Sequence, residues 1–213
     1  MIYDKDIREP LFDFLEETYG KTRIIEEKKM GASRADIVMI IEGAVVGIEI
    51  KSDADTYTRL ATQVKDYDRY CDMNIVAIGT SHAAHIFDHV PEYWGIITVE
   101  EVEGRLDFYM LRRPQANPEM KWENKLKLLW RPELAQIQEM NQLPKYKDKS
   151  KAFVIERLAS FVPERVAEDV LKEQVSEILF ERDYNTIRDQ INSYRQANGK
   201  RRRRKNYVWK SRS

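Results

Sequence analysis

The chain has 213 residues, of which 42% are hydrophobic and 10% aromatic, so it can bury the core of one or two domains. Charged residues make up 34% of the chain, above the average of about a quarter. The single cysteine, Cys71, excludes a disulfide framework and fits a reducing compartment. The N-terminus has no signal-peptide pattern, and no apolar run approaches the roughly 20 residues that span a bilayer. We therefore expect a cytoplasmic protein that makes no membrane contact.

The formal net charge of zero hides an uneven distribution along the chain. Eight basic residues and no acid lie between Lys200 and Arg212, so the rest of the chain is acidic, with a net charge of −8. A basic tail on an acidic body indicates contact with a polyanion. The tail residues expected to bind nucleic acid are Arg201, Arg202, Arg203 and Arg204. A solvated tail that only improves solubility is the alternative.

The N-terminal half alternates helical and strand patterns, as an α/β protein does. Apolar residues at helical spacing predict a helix over about 4–19, although Pro10 suits a first turn and favours a start nearer Glu9. The further predicted elements are, in chain order, strands at about 22–28, 34–41 and 44–51, a helix at 56–70, a strand at 74–78, a helix at 83–90, and strands at 96–100 and 106–111.

A domain boundary is predicted near 112–118, where Pro114 and Pro118 interrupt the pattern. Beyond it the periodicity is helical, over about 125–143, 150–161 and 164–197. The predicted organisation is a core at 1–113, a helical extension at 119–199 and a basic flexible tail at 200–213.

Three charged side chains stand within two otherwise apolar predicted strands. Asp36 heads the second strand, and Glu49 and Lys51 lie at the end of the third, on the same face because alternate side chains of a strand share a face. Two carboxylates at adjacent strand ends, with the backbone carbonyl of Ile50, supply the oxygen ligands that Mg²⁺ prefers. A lysine beside them would stabilise charge developing on a phosphate. The pattern predicts a Mg²⁺-dependent site that cleaves phosphodiester bonds; a solvent-facing strand of an amphipathic hairpin is the alternative.

A polar stripe follows on the next predicted helix. Its members are spaced three or four residues apart and lie along one side of the helix; they are Thr56, Arg59, Gln63 and Tyr67. A stripe directly after the charged strand is placed to face the site. In the alternative, Tyr67 is half-buried core and Gln63 faces solvent.

The order of these residues resembles the PD-(D/E)xK nuclease superfamily, which has the restriction-endonuclease-like fold. Asp36 and then Glu49-Ile50-Lys51 follow an N-terminal helix and precede a helix and a strand; the proline that often precedes the first acid is absent. The stretches 47–67 and 90–96 are similar to a group of uncharacterised bacterial proteins placed in that superfamily, and the resemblance covers roughly residues 7–135. It implies an α/β core, a mixed central sheet flanked by helices in the order αβββαβ, followed here by a C-terminal helical extension.

The resemblance also implies roles for individual residues. The matching Asp36 and Glu49 would bind the metal, Lys51 would assist the attacking water, and Gln63-x-x-x-Tyr67 would support the site and contact DNA, with Arg59 beside it. An acid from the first helix often completes such a site, and Glu9 is the candidate. The implied cofactor is Mg²⁺, with Mn²⁺ as a substitute, and the implied partner is nucleic acid, DNA in particular. A homodimer is also open, because many nucleases of this fold pair their sites.

A second basic segment lies between two predicted helices of the C-terminal half. A helix, an extended basic stretch and another helix loosely resemble a SAP-like nucleic-acid-binding module. The residues that would contact phosphates, without reading sequence, are Lys145, Lys147, Lys149 and Lys151. A plain helical hairpin packed on the core is the alternative.

Taken together, these patterns lead us to expect a Mg²⁺-dependent nuclease that uses a metal-activated water. The rival expectation is a non-catalytic nucleic-acid-binding or assembly module that retains the nuclease fold. The presence of Asp36, Glu49 and Lys51 together favours the enzyme.

Overall fold

The computed structural model describes residues 2–183. The predictions made for 184–199 and for the basic tail at 200–213, including Arg201, Arg202, Arg203 and Arg204, lie outside the described residues.

The described chain is an α/β protein with one six-stranded mixed sheet. Its strands are β1 (Arg23–Met30), β2 (Ser33–Ile41), β3 (Ala44–Lys51), β4 (Met73–Gly79), β5 (Gly95–Val102) and β6 (Arg105–Arg112). Its α-helices are α1 (Asp4–Tyr19), α2 (Leu60–Tyr70), α3 (Trp122–Lys125), α4 (Arg131–Met140), α5 (Lys151–Ala159) and α6 (Glu168–Phe180). Short 3-10 turns lie at Tyr57–Arg59, Thr80–His82, Ile86–Asp88 and Leu126–Leu128.

The strands lie side by side in their chain order, β1 to β6. β1, β2 and β3 form an antiparallel meander, β4 joins β3 in parallel through the crossover that contains α2, and β5 is parallel to β4. β6 returns antiparallel along β5. The parallel pairs bring the carboxyl ends of β3, β4 and β5 to one edge of the sheet, and Lys51 ends the first of these strands.

Two apolar clusters cover the opposite faces of the sheet. On one face α1 buries Ile7, Leu11 and Leu15 against β2, β3, β4 and β5. On the other face a single larger cluster joins the sheet, α2 and the C-terminal helices α4, α5 and α6. The predicted helical extension therefore shares its apolar core with the sheet and with the helix that follows β3.

One glycine allows α2 to approach the middle of β3. A Cβ built on Gly47 would lie 2.5 Å from the Tyr67 ring and 2.9 Å from the Cys71 sulfur. Both neighbours are buried, so they have little room to retreat. Gly47, two residues before Glu49 on β3, thus sets how closely the Tyr67 ring approaches the sheet.

The helix predicted at 4–19 is confirmed, its alternative start nearer Glu9 is wrong, and the helix predicted at 83–90 is not observed. α1 begins at Asp4 and carries Pro10 in its interior. Burial of its apolar stripe, worth roughly 1.5–3 kcal/mol per aliphatic side chain, offsets the roughly 3 kcal/mol cost of an interior proline. The predicted helix at 83–90 is instead a turn at 83–85 followed by one 3-10 turn at Ile86–Asp88, because His82 contacts the carbonyl oxygen of Ser52 at 3.1 Å and the His89 ring stacks on Tyr57.

The C-terminal helices are shorter than their periodicity predicted. The span predicted at 125–143 is divided among α3, a 3-10 turn and α4, and the helix predicted from 164 begins at Glu168. Within residues 2–183, no helix is long and apolar enough to cross a bilayer.

Candidate active site

The site is built where β2 and β3 part from each other. Their antiparallel register ends with Ile37 opposite Ile48. Asp36 and Glu49 are the next residues on the two strands, and the charge of Glu49 acts on Asp36. Beyond that point the amide of Ile50 donates to Asp36 Oδ2 at 2.9 Å, so the carboxylate satisfies a donor that β2 no longer pairs. Glu49 lies on the face of the sheet that α2 covers, and Asp36 lies at the sheet's end beside both Glu49 and Arg8 of α1.

Glu49 is 1% exposed and is held by three donors. Its Oε1 accepts from Lys51 Nζ at 2.7 Å and from Gln63 Nε2. Its Oε2 accepts from the Tyr67 hydroxyl at 2.6 Å. A buried carboxylate with this many donors is fixed in position.

Lys51 and Tyr67 connect Glu49 to the rest of the site. Lys51 is 3% exposed and also donates to Gln63 Oε1 at 3.1 Å. The Tyr67 oxygen accepts from the backbone amide of Asp36 at 3.0 Å, so the phenol bridges the two acids. Burial, and then the charges of Glu49 and Asp36, raise the pKa of Tyr67 well above its usual value, which keeps the hydroxyl a donor.

Asp36 carries a charge that its surroundings do not fully balance. Burial, followed by the nearby charge of Glu49, raises the pKa of Asp36 from 3.8 to about 7. Arg8 of α1 offsets this in part, with its guanidinium 3.6 Å from Asp36 Oδ1. Arg8 is shared, however, because it also pairs with Asp4 at 3.0 Å and with Glu26 at 3.3 Å.

The donor set fits a hard divalent cation. Among the described residues, Asp36 Oδ1 has the distant Arg8 as its one partner, and Glu49 Oε2 accepts one hydrogen bond and keeps a lone pair. Two close carboxylates whose mutual repulsion raises a pKa are stabilised by a cation between them. Within residues 2–183, no three His, Cys, Asp or Glu side chains are grouped for a metal, so further ligands would be the Ile50 carbonyl and water.

These side chains line one open cleft of about 630 Å³. The cleft contains predicted site residues from two strands and α2, together with Arg59 at its rim; of the predicted set it is lined by Asp36, Glu49, Ile50, Lys51, Arg59 and Gln63. Tyr67 lies beneath them, fully buried. The structure thus brings the predicted catalytic residues into one place.

Glu9 does not line this cleft and is exposed on α1. Asp4 and Arg8, one turn apart on the same helix, line it instead. Sequence reasoning missed both residues. Their i, i+4 acid–base spacing was visible, but the sequence does not show that this end of α1 lies beside Asp36.

The lysine segment lies away from the cleft, between α4 and α5. Lys145 pairs with Glu139 at 3.4 Å, and the Lys149 ammonium lies 5.5 Å from the centre of the Phe153 ring. Lys151 donates to the carbonyl of Lys127 at 2.9 Å, and burial lowers its pKa. Lys147 is exposed. All four lysines thus have interactions within the protein.

Comparison with known proteins identifies the family. The model of the family described as bacteriophage P4 protein cII matches residues 2–204 of this chain. The chain belongs to the bacteriophage P4 protein cII family. The match spans the sheet, the cleft and the C-terminal helices of this cII-family protein together.

The other comparisons are weak. No curated protein matches the cII-family chain. A solved structure, Pyrococcus furiosus SfsA in complex with Ca²⁺, is similar at 15% sequence identity and a TM-score of 0.33. The similarity covers 51% of this chain and 64% of the SfsA chain, and it is too remote to inform fold or function.

Proposed function

We propose that this protein is a Mg²⁺-dependent nuclease with a restriction-endonuclease-like core of the PD-(D/E)xK kind, acting on DNA. The observation that carries the proposal is that Asp36 and Glu49 lie close together where the pairing of β2 with β3 ends, with Lys51 hydrogen-bonded to Glu49. The order α1, β1, β2, β3, α2, β4 supports it, because it is the αβββαβ order implied by the sequence resemblance.

Asp36 Oδ1, Glu49 Oε2 and the Ile50 carbonyl would hold the metal ion. When bound, Mg²⁺ would polarise a phosphoryl oxygen and lower the pKa of water. Gln63 and Tyr67 keep the Glu49 carboxylate in one orientation. Such fixed dipoles need no rearrangement when charge develops during the reaction.

Lys51 is the residue that we assign to the reacting phosphate. Its ammonium is anchored to Glu49 and Gln63 through two of its three N–H donors. The third donor remains for a water or a phosphoryl oxygen in the cleft that Lys51 lines. A positive charge held there would stabilise the additional negative charge of the transition state.

The second candidate function is a nucleic-acid-binding or assembly module without catalysis. Arg8 favours it, because a guanidinium already lies 3.6 Å from Asp36 Oδ1 and gives that carboxylate a counter-charge. Against it, the charge of Glu49 affects the pKa of Asp36 more than that of Arg8 does. The site therefore still lacks positive charge, which supports the metal-dependent proposal.

Replacing Lys51 by methionine should reduce metal-dependent cleavage at least 100-fold, as loss of one preorganised charge typically does. The measurement is cleavage of linear, circular, single-stranded and branched DNA with Mg²⁺ or Mn²⁺. The matched control is Lys127→Met, because the Lys127 side chain is exposed and donates to Asn124, outside the cleft. Equal cleavage by wild type and Lys51→Met would overturn the assignment of Lys51. No cleavage by the wild type, with salt-sensitive DNA binding, would support the binding module.

A further inference from the structure

The outward face of α2 is basic for a simple structural reason. The two carboxylates of this helix are turned inward: Asp66 accepts from the amides of Ala32 and Ser33, and Asp68 accepts from Tyr93, Trp94 and Asn74. The exposed polar side chains that remain are Arg59, Thr62, Lys65 and Arg69. The helix thus presents cations to solvent while its acids serve the fold.

These basic side chains form no salt bridges within the described residues. Within residues 2–183, every salt bridge joins other side chains, and none involves Arg59, Lys65 or Arg69. The lysines between α4 and α5 differ, since Lys145 is paired and Lys151 is half-buried. The α2 cations therefore remain available for an anionic partner.

The basic face starts at the cleft and leads away from it. Arg59 and Thr62 line the cleft that contains Lys51. Lys65 lies one turn further along α2 and Arg69 one turn beyond, because residues three and four apart share a helix face. Ten residues of helix span about 15 Å, a length that faces about four phosphates of one DNA strand at roughly 3.4 Å each along the duplex axis.

We propose that Arg59, Lys65 and Arg69, here called the α2 track, bind the phosphate backbone of the nucleic acid whose scissile bond lies in the cleft. The proposal deepens the nuclease function and rests on it for the position of the scissile bond. Contacts of this kind set the position and direction of the strand and carry no sequence information. The occupant is thus a nucleic-acid backbone of any sequence. Lys121, which is exposed, lies next to Arg69, because its amide donates to the Arg69 carbonyl at 3.1 Å.

The double variant Lys65→Gln/Arg69→Gln tests the track without touching the cleft. Each lost phosphate contact should lower the slope of log K against log salt by about 0.9 for duplex DNA. We therefore expect the slope to fall by about 1.8 and binding to weaken at least tenfold in about 0.1 M salt. The measurement is fluorescence anisotropy of a labelled DNA duplex in EDTA, where metal-dependent cleavage does not occur.

The charge-matched control is Arg105→Gln/Arg157→Gln, which removes two exposed arginines from β6 and α5. Weaker binding with a lower salt slope in the track variant alone supports the proposal. Binding that is unchanged in the track variant, or equally weakened in the control, overturns it. Cleavage separates the two proposals: if the wild type cleaves DNA and the track variant has the same KM, the track is wrong and the nuclease stands. If the wild type never cleaves but the track variant loses binding, the nuclease is wrong and the backbone contact stands.

Discussion

Replacing Asp36 by asparagine should make the metal-free protein more stable above pH 7, although it removes a proposed metal ligand. The carboxylate is four-fifths buried beside Glu49, and these surroundings penalise its ionised form. Asparagine has no charge to bury, and its side-chain oxygen can still accept from the amide of Ile50. A site that gains stability when its charge is removed is one that is built to receive a cation.

The contribution of Asp36 to the free energy of unfolding decreases as the pH rises. Asp36 ionises near its ordinary value of 3.8 when unfolded and near 7 when folded, so the folded state holds its proton more tightly. Its contribution to stability is complete below pH 4 and is lost as the pH rises towards 7. Each pKa unit corresponds to about 1.4 kcal/mol. The shift in the pKa of Asp36 corresponds to about 4 kcal/mol of the free energy of unfolding. Because a fifth of the side chain is exposed to screening solvent, we expect the free energy of unfolding to fall by about 3 kcal/mol.

The measurement is urea unfolding of wild type and Asp36→Asn in EDTA between pH 5 and pH 8. The free energy of unfolding of the variant should exceed that of the wild type by an amount that grows across this range. Glu27→Gln is the matched control, because Glu27 lines the same cleft but is half exposed; it should change stability by less than about 1 kcal/mol at either pH. A variant that is less stable than wild type at pH 8 would contradict the electrostatic account of the cleft.

Replacing Lys125 by methionine should lower the free energy of unfolding by about 3–5 kcal/mol, the usual cost of breaking one side of a buried ion pair. Lys125 is fully buried in α3, and its ammonium lies 2.5 Å from Asp72 Oδ2. The same oxygen accepts from the amide of Val45 at 2.8 Å. This contact joins the C-terminal helices to the start of β3, so its loss leaves an unpaired carboxylate at the joint.

A second substitution separates the charge from the packing. Asp72→Asn keeps an acceptor for Val45 and removes the unpaired charge, so Lys125→Met/Asp72→Asn should recover most of the lost stability. The measurement is urea unfolding of the two single variants and the double variant at pH 7. A loss below about 1 kcal/mol in Lys125→Met, or no recovery in the double variant, would show that the buried pair does not hold the helices to the sheet.

The sheet was largely predictable because its sequence signals are local. The strand predicted at 44–51 is observed as Ala44–Lys51, and the strand predicted at 34–41 as Ser33–Ile41. Both have apolar runs bounded by the Glu42-Gly43 turn, where Gly43 has a positive φ of 69°. Such signals lie within a few residues of each other and need no tertiary information.

The helix predicted at 83–90 was wrong because tertiary contacts override local periodicity. The histidines around it have helical spacing. However, the rings of His82 and His89 both contact Tyr57, which precedes α2 and β4 in the chain, whereas the histidines follow β4. Neither contact can be read from a spacing of three or four residues. The start of α1 at Asp4 was predicted, and the alternative start nearer Glu9 is wrong, since the burial of Ile7 and Leu11 against the sheet outweighs the preference of Pro10.

The site residues with local sequence signals were also predictable, whereas those placed by tertiary contacts were not. Asp36, Glu49 and Lys51 were found because charge is rare in strands of a packed sheet, and all three lie in one short stretch. Arg8 and Asp4 were not found, because Arg8 meets Asp36 across 28 positions of the chain. The bridging position of Tyr67 between the two acids depends on the close approach that Gly47 permits.

The central claim is that Asp36 and Glu49 together hold a divalent cation. Its most direct test is the loss of the free Mn²⁺ electron paramagnetic resonance signal on addition of the protein at pH 8, comparing wild type, Asp36→Asn and Glu27→Gln. We predict one bound Mn²⁺ per chain in the wild type and in Glu27→Gln, and none in Asp36→Asn. Equal Mn²⁺ binding by wild type and Asp36→Asn, or no binding by the wild type, would contradict the account.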